Sequence, residues 1–270
     1  MIFFSYLCSL SFIIFMKNIA VILAGGSGKR FGAEEPKQFA LLGGLSVLEH
    51  SVKAFAEVEG VDEICVVSHP DWMERVEKMV SGFKVQGSWP SQAARPIARF
   101  KVIAGGDERY MSSLNAIMAY IDYDDDTNLV FHDAARPNVD RSTIVAVLKA
   151  LQQYEAVGVG VPATDTLWEV AITNEAMERT PEQPYTLLRV PERKRYWMAQ
   201  TPQAFRLPLI RDAYQRALQD PMFQATDDCG VVARYMPEVK IHLVKGSAEN
   251  IKLTHLHDLN TLKELVKRKR

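Results

Sequence analysis

A chain of 270 residues with 47% hydrophobic and 24% charged side chains can build one or two packed domains, and it lies far from disordered, collagen-like or polytopic membrane compositions. Thirty-two Lys and Arg against 33 Asp and Glu leave a formal charge of −1, so no general field recruits nucleic acid or an anionic membrane, and any bound polyanion must meet a locally built cationic site. The three cysteines, Cys8, Cys65 and Cys229, contain no C-x-x-C pair, which excludes a cysteine-rich zinc site and fits a reducing compartment.

Residues 1–15 are apolar, carry no Lys or Arg before the apolar run, and fall short of the roughly 20 residues needed to span a bilayer. We read them as an extension upstream of a domain that starts at Met16, with a signal or anchor segment as the alternative; a cytoplasmic location is expected. From Asn18 onward, β-branched runs alternate with segments of helical period. Predicted strands lie at 19–23, 63–67, 101–103, 128–131, 157–161 and 239–244. Ser46-Val47-Leu48-Glu49 has capping-box spacing and opens a helix through Phe55, and Pro70 suits the first turn of the next. Further helices are predicted at 112–121, 142–153, 207–218, 227–235 and 256–267. This is the pattern of a Rossmann-like α/β domain over 16–270, a mostly parallel sheet with helices on both faces. Two stretches break it. Residues 84–100 hold Gly87, Pro90 and Pro96 without a period and read as a surface loop. Residues 164–199 are too long for an ordinary connection and are expected to protrude as a β-arm.

Ala24-Gly25-Gly26-Ser27-Gly28-Lys29-Arg30-Phe31-Gly32 follows the first strand, with Pro36-Lys37-Gln38 just beyond. Glycines let the main chain approach a ligand and turn N–H groups toward phosphate oxygens, while Arg30 and Lys37 supply charge that the balanced chain lacks elsewhere. A triphosphate suits such a loop. Gly26, Gly28 and Gly32 are spaced G-x-G-x-x-x-G, not as the dinucleotide fingerprint, and Gly28-Lys29 is followed by Arg30, not by the Ser or Thr of a P-loop. An NAD-dependent oxidoreductase and a P-loop ATPase are therefore disfavoured; a plain strand-to-helix turn is the alternative on this loop alone.

Asp133 ends a second apolar strand in Phe131-His132-Asp133-Ala134-Ala135-Arg136-Pro137, where a carboxylate can hold Mg²⁺ against phosphate oxygens or can simply cap a helix. Arg136 reads as a brace for this turn and His132 as a packed strand-end residue. In Ser247-Ala248-Glu249-Asn250-Ile251-Lys252, Lys252 is a second candidate ammonium and Glu249 a second candidate metal ligand, against the plainer reading of a short polar turn. Gly105-Gly106-Asp107-Glu108-Arg109, with Ser112 beyond, can read a nucleobase edge or cap a helix.

These blocks, together with Asp165-Thr166, Gln200-Thr201-Pro202-Gln203 and Thr226-Asp227-Asp228, resemble in their joint order the cytidylyltransferases acting on 2-C-methyl-D-erythritol 4-phosphate and their relatives acting on D-ribitol 5-phosphate. The resemblance runs from about Met16 to the C-terminus. It implies attack by a polyol phosphate oxygen on the α-phosphorus of CTP, with loss of pyrophosphate. By motif, Arg30, Lys37 and Lys252 would stabilise the transferring phosphates. Ala24, Gly25, Gly26, Gly28, Gly106, Asp107 and Ser112 would hold CTP, Asp133 and less securely Glu249 would bind Mg²⁺, and Thr166 and Arg193 would hold the C5 polyol phosphate. It further implies a homodimer in which the 164–199 arm is exchanged. Trp168 stands where methylerythritol-phosphate enzymes often carry Lys, Glu249 stands where they usually carry Asp, and Thr226-Asp227-Asp228-Cys229-Gly230 is worded like ribitol-phosphate relatives. The acceptor expected on these departures is D-ribitol 5-phosphate, with methylerythritol phosphate as the alternative. A transferase using another NTP or a sugar 1-phosphate, and a non-catalytic nucleotide-binding module, complete the readings.

Overall fold

The computed structural model describes residues 16–26, 31, 35–83, 99–171 and 185–268. Eleven strands appear among them: β1 (Asn18–Ala24), β2 (Leu41–Leu42), β3 (Leu45–Ser46), β4 (Glu63–Ser68), β5 (Arg99–Ala104), β6 (Asn128–Asp133), β7 (Ala156–Pro162), β8 (Glu169–Ala171), β9 (Thr186–Arg189), β10 (Trp197–Arg206) and β11 (His242–Lys245). The α-helices are α1 (Val47–Ala56), α2 (Met73–Val80), α3 (Arg109–Ala119), α4 (Arg141–Ala150), α5 (Leu207–Ala217), α6 (Asp228–Tyr235) and α7 (Asp258–Arg268).

Seven strands form one sheet in the order β11-β7-β10-β6-β1-β4-β5. β10 runs antiparallel to both neighbours and every other pairing is parallel. The predicted mostly parallel sheet is thus present, and its inner strands β1, β4, β6 and β7 are buried on both faces, as covered parallel strands are, while the edge strand β11 is partly exposed. Alternate residues of β1 go to opposite layers: Ala20, Ile22 and Ala24 pack with α1, α2 and α4, while Ile19, Val21 and Leu23 pack with α3, α5 and α6. A third cluster joins Leu42, Leu253 and Leu262, fastening α7 over the β2–β3 hairpin. The capping box predicted at α1 is complete, with Ser46 Oγ accepting from the Glu49 N–H and the Glu49 carboxylate from the Ser46 N–H.

Several boundaries differ from the sequence reading. The strand predicted at 239–244 begins at His242, because the Val239 N–H is taken by the Met236 carbonyl in a turn that follows α6. The helix predicted at 112–121 begins at Arg109, and the loop predicted at 84–100 gives way to β5 at Arg99; residues 84–98 lie outside the described residues. The larger miss is β10, which no periodicity announced. Pro202 lies inside it, a residue normally confined to edges and bulges, and the pairing with β7 shifts register between Gln200 and Ala204 to accommodate the interruption. The arm predicted at 164–199 is present in outline: β8 and β9 pair as a separate two-stranded sheet, while 197–199 belong to β10. Among the described residues, no helix is long and apolar enough to cross a membrane.

Candidate active site

Because β1, β4, β5, β6, β7 and β11 all point the same way, their carboxyl ends share one rim. That is where open α/β sheets bind ligands. The glycine loop leaves β1 there, Gly105 leaves β5, Asp133 ends β6, Ala163 and Thr164 follow β7, and 246–253 follow β11.

At the first corner, Gly25 and Gly105 close on the Ser112 hydroxyl. A Cβ on Gly25 would lie 2.9 Å from Ser112 Oγ, and one on Gly105 would lie 2.8 Å from the same atom. Ser112 is buried and accepts the Gly106 N–H at 3.2 Å, so it shapes the Gly105-Gly106-Asp107 turn from behind. The resemblance assigns Ala24, Gly25, Gly26, Gly28, Gly106, Asp107 and Ser112 to CTP, and the fold brings the described parts of these two loops together. Gly28 and Arg30 lie outside the described residues.

At the second corner, Asp133 is locked by its surroundings. Its N–H donates to Thr201 Oγ1 at 3.1 Å, and Thr201 Oγ1 is 3.0 Å from His132 Nδ1. With the hydroxyl oxygen accepting from Asp133, its proton goes to Nδ1, and Nε2–H donates to the Arg136 carbonyl at 3.1 Å. His132 is therefore a neutral Nε2–H tautomer, and burial lowers its pKa to about 4. It is the packed strand-end residue expected of it. Arg136 is the expected brace, donating to the Asn250 carbonyl at 2.7 Å and the Ala199 carbonyl at 3.3 Å.

Three cations converge here from distant sequence. Lys252 Nζ lies 2.7 Å from Asp133 Oδ2, and Arg109 Nε donates to Asp133 Oδ1 at 3.3 Å. Lys37 Nζ donates to the carbonyl of Leu253, the residue next to Lys252, at 2.9 Å. The Leu253 N–H in turn reaches the Ala135 carbonyl at 2.8 Å, and the Gln38 side-chain amide reaches the Ala24 carbonyl at 3.2 Å. Pro36-Lys37-Gln38 is thus strung between the tip of β1 and the Lys252 segment. Asn250, which donates to the Thr201 carbonyl at 2.9 Å, and Gln200, which donates to the Ser247 carbonyl at 2.9 Å, stitch that segment to β10. Burial alone would raise the Asp133 carboxyl; the Arg109 guanidinium and Lys252 ammonium outweigh it and hold the carboxyl well below the usual range.

The sequence assigns no role to Arg109 or Asp228, yet both belong to this corner. Arg109 Nη2 donates to Asp228 Oδ2 at 2.9 Å, and Tyr214 donates to Asp228 Oδ1 at 2.7 Å. These partners are 119 residues apart, and a single sequence carries no signal that pairs them. Glu249 is exposed; its carbonyl accepts from Asn138 at 2.9 Å. Among the described residues, no three or more His, Cys, Asp and Glu side chains gather as a metal-ligand group. On the arm, Arg193 donates to the Thr164 carbonyl at 2.6 Å, which ties it to the exposed segment carrying Thr166.

The family model described as "IspD: 2-C-methyl-D-erythritol 4-phosphate cytidylyltransferase" matches residues 18–268. The chain belongs to this cytidylyltransferase family. It is a CTP-dependent cytidylyltransferase, and the non-catalytic and oxidoreductase readings fall away. Over 248 residues it is 40% identical to the 2-C-methyl-D-erythritol 4-phosphate cytidylyltransferase of Thermobifida fusca (strain YX), covering 92% of each chain. It is 38% identical to the bifunctional ribulose 5-phosphate reductase/CDP-ribitol pyrophosphorylase Bcs1 of Haemophilus influenzae, covering 90% of this chain but 47% of that one. The structure of 4-diphosphocytidyl-2C-methyl-D-erythritol synthase from Anaerococcus prevotii DSM 20548 shares the fold at a TM-score of 0.73 and 23% identity, covering 94% of this chain and 100% of that one. These matches do not support the expected ribitol acceptor and back the methylerythritol alternative better, since the family model and the 40% identical relative carry that description against 38% identity to the CDP-ribitol relative.

Proposed function

We propose that this cytidylyltransferase joins CTP and 2-C-methyl-D-erythritol 4-phosphate into a CDP-polyol and pyrophosphate. The observation carrying the chemistry is the Asp133–Lys252 pair at 2.7 Å on the carboxyl rim, with Lys37 bonded to the very next residue. In the reaction an acceptor phosphate oxygen forms a bond to the α-phosphorus as the bond from α-phosphorus to the bridging oxygen breaks, and pyrophosphate leaves with that electron pair. The acceptor phosphate is already anionic near neutral pH, so alignment and charge neutralisation outweigh proton removal.

Lys37, Lys252 and Arg30 are assigned to the charge on the transferring phosphates. Both placed ammoniums rest on protein oxygens that a phosphate can replace. Gly25, Gly26, Gly28 and the Gly106-Asp107 turn, with Ala24 and Ser112 behind, are assigned to the nucleotide. Asp133 is assigned to Mg²⁺: a hard carboxylate held ionised at the phosphate rim fits an ion that takes one or two carboxylates and fills its octahedron with phosphate and water oxygens. Bound there, the ion would neutralise phosphate charge. Glu249 is a weaker candidate for the same ion, being exposed on the neighbouring turn.

Thr166 and Arg193 are assigned to the acceptor phosphate, on an arm shared in a homodimer. Support for the dimer is the apolar surface the arm presents, with Trp168 69%, Leu188 63% and Val190 55% exposed. The deciding experiment measures pyrophosphate release with CTP, UTP, GTP and ATP against both polyol phosphates. Turnover with CTP and methylerythritol phosphate is expected to exceed that with ribitol phosphate by at least about tenfold in kcat/KM, a modest pocket discrimination. A preference for ribitol 5-phosphate would overturn the acceptor assignment.

A further inference from the structure

Charges alternate from the interior to the rim in the series Asp228, Arg109, Asp133, Lys252. Asp228 is fully buried, and it takes the Tyr214 hydroxyl at 2.7 Å and the far end of the Arg109 guanidinium at 2.9 Å. Lys252 sits 2.7 Å from Asp133 Oδ2, whereas Arg109 reaches Asp133 only through Nε, at 3.3 Å from Oδ1. An arginine facing a carboxylate squarely makes two short parallel bonds. Here the guanidinium is committed elsewhere, so Oδ1 is the weakly held oxygen. Asp228 itself has little freedom to follow Arg109, because Gln203 clamps the start of α6. The Gln203 amide donates to Asp227 Oδ2 at 2.8 Å, and its carbonyl oxygen accepts the Cys229 N–H at 2.9 Å.

We propose that Asp228 is a positioning residue which, by anchoring Arg109, keeps Asp133 Oδ1 open to the divalent cation that accompanies the nucleotide. The inference rests on the assignment of Asp133 to that cation. Neutralising Asp228 acts twice in one direction: it frees Arg109 to close on Asp133, and it removes a negative charge close to the cation's seat.

The test is Mn²⁺ uptake, read by electron paramagnetic resonance, in protein saturated with α,β-methylene-CTP, alongside the Mg²⁺ dependence of turnover. Asp228→Asn should weaken Mn²⁺ uptake and raise half-saturating Mg²⁺ by about tenfold, the scale of losing an outer-sphere partner, with the CTP KM at saturating Mg²⁺ changed far less. The double variant Asp228→Asn with Arg109→Gln should recover Mn²⁺ uptake, because the competing guanidinium is gone. Asp133→Asn separates the two layers. If it takes up Mn²⁺ like the parent protein, the metal assignment itself fails. If it loses uptake while Asp228→Asn retains it, the positioning role is overturned and the metal assignment stands. Should Asp228→Asn not fold by circular dichroism, Tyr214→Phe keeps every charge and loosens Asp228; weakened uptake supports the role, and parent-like uptake overturns it.

Discussion

A buried histidine beside an ionised aspartate invites a catalytic reading, and its hydrogen bonds argue otherwise. His132 accepts at Nδ1 from Thr201 and donates at Nε2 to the Arg136 carbonyl, so it has no proton to take up without breaking the arrangement that seats Asp133. Burial holds its pKa at about 4, below the ordinary value of 6.5. Between those values the unfolded chain binds more protons than the folded one, so stability rises with pH across that window. Acidifying the ligand-free protein from 6.5 toward 4 should therefore remove up to about 3 kcal/mol through this residue, and His132→Gln should flatten that part of a denaturation-versus-pH curve. Asp133 does not contribute there. Its carboxyl is depressed, so its stabilisation is present above the usual carboxylate range and is lost only in much stronger acid. Lys37 is a different case, because its ammonium meets the Leu253 backbone carbonyl at the rim, where a phosphate can take that place. Lys37→Ala should lower turnover by about two orders of magnitude or more, the size of a lost electrostatic transition-state contact, with an unchanged melting profile. Turnover near that of the parent would remove Lys37 from the reaction.

Elements meet at this rim through backbone, and glycine is what allows it. β5 delivers Gly105 against both Ser112 of α3 and the main chain after β1, and a Cβ there would lie 3.3 Å from Gly25 Cα and 3.3 Å from the Ser68 carbonyl oxygen. Neither backbone atom can step aside as a side chain would. Gly105→Ala is expected to cost about 1–3 kcal/mol as an overpacked site and to raise the CTP KM, since the turn after it is the proposed cytosine reader. A melting temperature and a CTP KM both equal to the parent's would show that the two loops are independent. Apolar runs announce β1, β4, β6 and β7, because strands buried on both faces read as nearly continuous apolar sequence. They miss β10, where Gln200, Thr201 and Gln203 break the run. Those polar side chains are buried because each has a partner: Asn250 and Ser247 for Gln200, Asp133 and His132 for Thr201, Asp227 and Cys229 for Gln203.

At the scale of the molecule, two packed layers hold the sheet and a small arm stands beyond them. Among the described residues β8 and β9 pair only with each other, and the Arg189–Glu169 bond at 2.6 Å lies on their surface. Leu187, Leu188 and Val190 are exposed in succession along the arm, an arrangement that an isolated protomer gains nothing by presenting to water. In a dimer that buries this face, Leu188→Asp should shift the protein toward monomer in sedimentation velocity and raise the acceptor KM, because Arg193 sits on the same excursion. A parent protein that sediments as a monomer at micromolar concentration would remove the dimer from the proposal.

The sequence by itself determined the class of fold, the rim loops and the reaction family, because short-range patterns express those directly: alternating hydrophobic periods, glycines after strands, and blocks of residues in a fixed order. It also marked Lys37, Asp133 and Lys252 as chemistry-bearing. Only the tertiary structure decided which charges oppose which. Arg109 reaches Asp133 across 24 positions and Asp228 across 119, and Lys252 reaches Asp133 across 119. Such pairings arise when parallel strands bring their carboxyl ends to one edge, and no local preference of a residue encodes its partner there. The same holds for β10, whose place in the middle of the sheet comes from partners supplied by other strands and loops.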